Sequence, residues 1–516
     1  MSKQLRIWLF VLLSTLLTSS SLLAEGVITM TTSKAVGETI ALDIKANGNV
    51  TIEGAQETGR KDSYDKELYR LSSQTVSIRG DVTSLECYSN QLTSLNVSGC
   101  TTLTSLRCFS NQLTSLDVSQ NTALTELDCT SNQLTSLNVS GCTALTSLEC
   151  YKNQLTSLDV SSCTALTTLY CWGNQLTSLD VSQNTALTEL SCSKNQLTRL
   201  DVSKNTALTQ LVCSQNQLTS LDVSSCTALT KLYCYENQLT SLNLSGCTAL
   251  TTLECYSNQL TSLNLSGCTA LTTLNCYNNQ LASLDVSQNL ALTELYCGEN
   301  QLTSLDVSQN TALTTLNCYN NQLTSLDVSS CTALTTLYCS RNLLRKIELS
   351  GCTSLLSLTC YSNQIKEREM TSLVNSLPDL GSKGIGAFRV FYDGSGEGNV
   401  CLAAHVATAQ AKGWKTQLTR DQDGDAWYDY TGADNTGVET TVTQQVKLYP
   451  NPATDYVIVE GVAPASEVTL HSMTGERLYA GRADDRGTLQ IDLTPYADGV
   501  YLVCVAGETY RVVVRH

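Results

Sequence analysis

Twenty-four cysteines are the residues of this chain best equipped for chemistry, because thiolates ligate metals, exchange disulfides and attack electrophiles. Only His405, His471 and His516 accompany them, and none lies in a nucleophile, metal or phosphate motif. Zinc sites pair cysteines as C-x-x-C and recruit histidine, so a metal-binding thiolate ladder is the weaker reading. Fourteen of the cysteines, Cys87, Cys108, Cys129 and onward to Cys360, instead recur every 21 residues without a slip. Leu106 stands two residues before Cys108, so on a strand both point to one face, the interior one. The thiols then act as small buried hydrophobes, and parallel neighbours rarely offer the ~90° dihedral of a disulfide. A second series, Cys100, Cys142, Cys163, Cys226, Cys247, Cys268, Cys331 and Cys352, keeps the same period. Its slot holds Asn121, Asn184 and Asn205 in other units, and that exchange tells against an obligatory bridge.

Carboxylates are plentiful, yet no pair is singled out for a glycan-processing enzyme, and no catalytic residue, cofactor or metal is expected. The run DQDGDAWYDY from Asp421 has alternating aspartates, but its glycine is misplaced for a calcium loop and the distal glutamate is missing, so it reads as a solvated acidic turn. A formal charge of -16 and the shortage of Lys and Arg argue against a phosphate-backbone partner, so no nucleic acid is expected. Binding is the chemistry that remains. The residue after the ladder cysteine is Tyr88, Phe109, Tyr151, Trp172, Tyr235, Tyr256, Tyr277, Tyr319 or Tyr361 in nine of fourteen units, although aromatics are 6% of the chain. Tyr170, Tyr233, Tyr296 and Tyr338 precede the cysteine in theirs. Residues flanking an inward cysteine point outward, so these form one exposed row. Ser191, Ser193, Val212 and Ser214 interrupt it, with Lys194 and Arg199 nearby. The row is expected to bind a host or bacterial surface protein or a glycan; the plainer alternatives are stacked rings that stiffen a passive surface-layer scaffold.

The elements that position this row follow from the repeat. Each unit reads like LTSLRCFSNQL (Leu103 to Leu113) followed by TSLDVSQNTA (Thr114 to Ala123), with Asn90, Asn111 and onward to Asn363 keeping the period. Fixed self-similarity means stacked coils sharing one core. The first part resembles the leucine-rich-repeat pattern L-x-x-L-x-L-x-x-N-x-L, with cysteine in place of the third leucine, and within that family it is similar to the internalin group, in its internalin J-like form with a cysteine ladder. That resemblance implies an adhesin. The expected fold is an α/β-type leucine-rich-repeat solenoid dominated by a parallel β-sheet. Its return segments lack an i, i+3, i+4, i+7 stripe, so they are expected to be short and non-helical. The asparagines are expected to end the strands and satisfy turn backbone groups.

Flanking segments complete the layout. Residues 1–24 carry Lys3 and Arg6 ahead of the apolar run Ile7 to Leu17, the plan of a signal peptide. Residues 25–81 read as a β-rich N-terminal cap with a hairpin at Asn47-Gly48, 82–363 as fourteen coils, 364–435 as a degenerate C-terminal cap and 436–445 as a linker. Residues 446–516 alternate apolar and polar positions like a small β-sandwich. Tyr449, Pro450, Asn451 and Pro452, with Gly475, Gly499, Tyr501 and the closing Arg515, resemble the C-terminal sorting domain of type IX secretion. The resemblance implies handling by that secretion machinery, removal of this domain, and attachment of the rest to the cell surface, with no integral membrane span in the mature chain.

Overall fold

The computed structural model describes residues 26–381, 384–420, 426–433, 446–505 and 508–516. The expected signal segment, the linker and Asp421 to Asp425 lie outside them. Two compact units divide the chain, Met1–Asp429 and Tyr430–His516.

In the first unit each coil gives one short strand that stops just before its ladder cysteine, as in Ser105–Arg107, Glu126–Asp128 and Ser147–Glu149. Neighbours pair in parallel with a 21-residue offset, Leu106 beside Leu127 beside Leu148. This ladder begins at Val82–Glu86, reaches Ser357–Thr359, and continues in parallel through Gly386–Tyr392 and Trp414–Thr419. The strands are short because the chain turns at once. The second residue after every ladder cysteine has a left-handed backbone, whether Ser110, Lys152, Gly173 or Glu299. Such a conformation costs a residue with a Cβ about 1–2 kcal/mol. The asparagine that follows offsets it. Asn237 donates to the Cys213 and Cys234 carbonyls, both at 3.1 Å, and accepts from the Leu218 amide at 3.0 Å, tying three coil segments together.

The exchange of Cys with Asn in the second series has a direct cause. Asn184 donates to the Val160 carbonyl at 2.9 Å, and the thiols of Cys142 and Cys247 reach the carbonyls of Val118 and Val223 at 3.2 and 3.3 Å. Either side chain serves the carbonyl 24 residues upstream. Every cysteine is unbridged, and all but Cys504 are buried. A threonine ladder, unseen in the sequence reading, adds hydroxyl bonds from Thr146 to the Thr125 carbonyl and from Thr167 to Thr146. The return segments hold turns, with three short parallel pairs such as Ser220–Asp222 with Ser241–Asn243.

The cap corrects one expectation. Asn47-Gly48 does not join a hairpin: Thr39–Ala46 runs antiparallel to Val82–Glu86, while Thr51–Glu53 pairs with Thr75–Arg79 in another sheet. The first coil presents two open edges, and the cap divides to cover both. Val27–Thr32 lies against the return strand Leu92–Asn96. At the other end, helices α1 (Glu367–Ser376) and α2 (Ala403–Ala411) interrupt the period. Asn399 nevertheless takes the next ladder position, donating to Cys360 and Val390 and accepting from Ile365.

The second unit has a three-stranded antiparallel sheet, in which Tyr456–Glu460 pairs with Lys447–Tyr449 and Thr488–Asp492. A four-stranded sheet places Glu467–Ser472 between Arg477–Arg482 and Gly499–Val505, with Glu508–Val514 outermost. Val457, Val459, Leu470, Ile491, Val503 and Val512 share one buried core.

Candidate functional site

Alternation along the three-residue strands aims the leucine and cysteine inward and leaves their flanking residues on the open face of the main sheet. Strand spacing of ~4.8 Å then sets one ring above another. Three pairs are stacked: Tyr88 on Phe109 with centroids 4.1 Å apart, Tyr151 on Trp172 at 4.5 Å, and Tyr235 on Tyr256 at 4.4 Å. Cations lie over the first two, Lys66 at 3.3 Å from the Tyr88 centroid and Lys152 at 5.1 Å from Trp172. These rings are half-buried, each keeping part of its surface to solvent.

Between the second and third pairs the break is closed on itself, Ser193 and Ser214 sharing a hydrogen bond of 2.9 Å. Tyr170 and Tyr233 stand two residues earlier, across the inward cysteine from Trp172 and Tyr235, and both are half-buried. The Tyr170 hydroxyl donates to Glu189. Burial, with that carboxylate beside it, pushes Tyr170 up to about 12, and burial does the same for Tyr256. At neutral pH both phenols are therefore uncharged donors.

Tyr277 leans away from the third pair, its ring lying 3.1 Å from where a Cβ on Gly298 would stand. It joins Tyr319 and Tyr338 around a pocket of about 530 Å³, whose lining also includes Asn317, Ser340, Thr359, Arg389 and Trp427. Tyr296 is half-buried on the intervening coil and donates to Glu294 at 3.2 Å. Tyr361, expected on the open face, is only 3% exposed. The cap packs over it, with Tyr392 and Trp427 at 6.3 and 5.8 Å. The sequence reading missed Arg389 and Trp427. Arg389 sits in register with Thr359, the position before the ladder cysteine, and could have been found by extending the repeat across its insertion.

In the second unit Tyr449, Pro450, Asn451 and Pro452 are exposed. The Asn451 amide donates to the Arg511 carbonyl and accepts from the Val513 amide, both at 2.9 Å, so this motif holds the last strand. No helix among the described residues is long and apolar enough to cross a membrane, and no group of three or more His, Cys, Asp or Glu among them is placed to hold a metal ion.

Comparison with known proteins fits this geometry. Residues 447–515 match the secretion system C-terminal sorting domain. Residues 143–184, 248–291 and 290–331 match a two-copy leucine-rich-repeat model. Among solved structures, the functional domain of InlJ from Listeria monocytogenes, which includes a cysteine ladder, is 28% identical with a TM-score of 0.50, covering 86% of this chain and 94% of that one. A leucine-rich-repeat protein of Leptospira interrogans is 25% identical over 55% of this chain and 84% of its own, with a TM-score of 0.46. An internalin, InlF, from Listeria monocytogenes is 20% identical over 66% and 86%, with a TM-score of 0.42. No curated protein matches the chain.

Proposed function

We propose, for a chain that carries leucine-rich repeats with a buried cysteine ladder and ends in a secretion system sorting domain, that it is an adhesin or recognition protein whose aromatic sheet face binds macromolecules. The sorting domain marks it for export to the cell surface or secretion and for interaction with the secretion machinery. The single observation that carries the binding reading is the row of stacked, half-solvated rings on the face opposite the core. Tyrosine and tryptophan offer large rigid surfaces at little entropic cost, which is why they dominate interface hot spots. The ligand is a protein or glycan of a host or bacterial surface. The domain in which the sorting motif lies is expected to be removed from the surface form, leaving the repeats attached.

The test is a screen of the full chain against host glycoproteins, bacterial surface proteins and glycan arrays, repeated with Trp172→Ala. Loss of one central anchor should weaken the best hit by about 2 kcal/mol, roughly thirty-fold. Equal binding by both proteins would send the search to the loops.

A further inference from the structure

The last coils depart from the pattern of the others. After the cysteine the row alternates large and small, Tyr277, Gly298, Tyr319, Ser340 and Tyr361, so that rings of this row are two strands apart, ~9–10 Å by sheet spacing. Elsewhere the neighbouring rings close on each other. Here the small residues keep them apart, and the 530 Å³ pocket runs between them. That is within the range of pockets holding small ligands, roughly 300–1,000 Å³.

Its polar groups are unlike the rest of the face. Ser340 is fully buried and Thr359 is 5% exposed, yet neither hydroxyl has a hydrogen-bond partner, and neither does Nε of Arg389. The chain has a way to satisfy a serine in this slot, since Ser193 and Ser214 bond to each other. At Ser340 that solution is absent. Native proteins pair most of their buried polar atoms, and these three, unlike the asparagine oxygens left unpaired within the second slot, gather at one pocket. Arg389 donates through one Nη to Ser357 at 3.3 Å, lies 4.8 Å from the Trp427 ring, and makes no ion pair among the described residues. In a chain of charge -16 such a guanidinium is well placed to meet a carboxylate.

We infer that this pocket binds an acidic sugar, a pyranose bearing a carboxylate, within a glycan. This deepens the proposed function and rests on it for the sheet face being a binding surface. The tyrosine rings take the apolar C–H face of the pyranose, Arg389 takes the carboxylate, and the hydroxyls of Ser340 and Thr359 meet those of the ring. An acidic peptide supplies a carboxylate for Arg389 and backbone groups for the hydroxyls, but no broad C–H face for the tyrosine rings.

The full chain is titrated calorimetrically with sialyllactose, a glucuronate tetrasaccharide and a galacturonate trisaccharide, with lactose as the neutral comparator. At least one acidic sugar should bind about ten-fold or more tightly than lactose, the worth of one charged hydrogen bond. Arg389→Gln should abolish that preference, Arg389→Lys restore part of it, and Ser340→Ala weaken it, with matched thermal melts showing each variant folded. No preference for any acidic sugar, or a preference that survives Arg389→Gln, overturns the inference. So does full competition by a glutamate-rich peptide. If Trp172→Ala abolishes binding in the screen while no acidic sugar binds, the pocket inference fails and the wider reading stands.

Discussion

A thiol and an amide serve the same carbonyl in the second slot of the coil, and a thiol alone fills the first. Burial governs what those thiols can do. It pushes Cys87 from its ordinary 9.0 up to about 12, and Cys150 and Cys276 equally far. The thiolate is the nucleophile, so native protein should be labelled by iodoacetamide only at half-exposed Cys504, and at all twenty-four cysteines after denaturation. Mass spectrometry reads the count, and bridges between adjacent coils would contradict the account. The same shift has a pH consequence. A folded-state pKa raised above the unfolded value means that the thiols' stability is fully present below about pH 9 and is lost as pH rises from there toward about 12. Each buried thiol removes about 1.4 kcal/mol per pH unit in that window. Urea midpoints should therefore fall steeply above pH 9, and less steeply when Cys234 is replaced by Val. The cysteine period was readable because burial permits no drift, whereas the left-handed position after it was not, since Ser, Lys, Glu and Asn all occupy it.

At the scale of the coil, the asparagine decides whether a turn can be buried. Asn237→Ala removes four hydrogen bonds and leaves the Leu218 amide unpaired, so about 2–4 kcal/mol of stability should be lost. Asn205→Cys, which keeps a donor toward the Val181 carbonyl, should cost less than half as much. Equal losses in urea melts would show that the first-slot amides hold nothing the second-slot ones do not. The repeat strands and the non-helical return were legible because periodicity reports which side chains face a core. The caps were not. Asn47-Gly48 carries a local turn signal, but two unpaired edges of the first coil outbid local pairing and sent the flanking runs to different sheets. Asn399 was hidden by the insertion holding α1, which breaks the count without breaking the ladder. The aromatic row was legible in outline, yet the burial of Tyr361 depends on Tyr392 and Trp427, which no repeat rule connects to it.

For the whole molecule, stacking makes each coil's open face one strip of a continuous surface, and the sorting domain decides where that surface is displayed. Deleting residues 446–516 should leave the protein in the periplasm, and surface proteomics of the intact strain should find no peptides after about Val446; unchanged display of the truncated chain would defeat the assignment. Trp172, Tyr235 and Tyr256 belong to two separate stacks, lie outside the core, and follow strands whose pairing is by backbone. Replacing all three by Ala should leave the circular dichroism spectrum unchanged. The direct measurement is adhesion of cells displaying this triple variant to a glycoprotein-coated surface that captures the parent chain: the account predicts at least a ten-fold loss at equal display, by the cost of hot-spot anchors, and parent-level adhesion with an unchanged spectrum would contradict it.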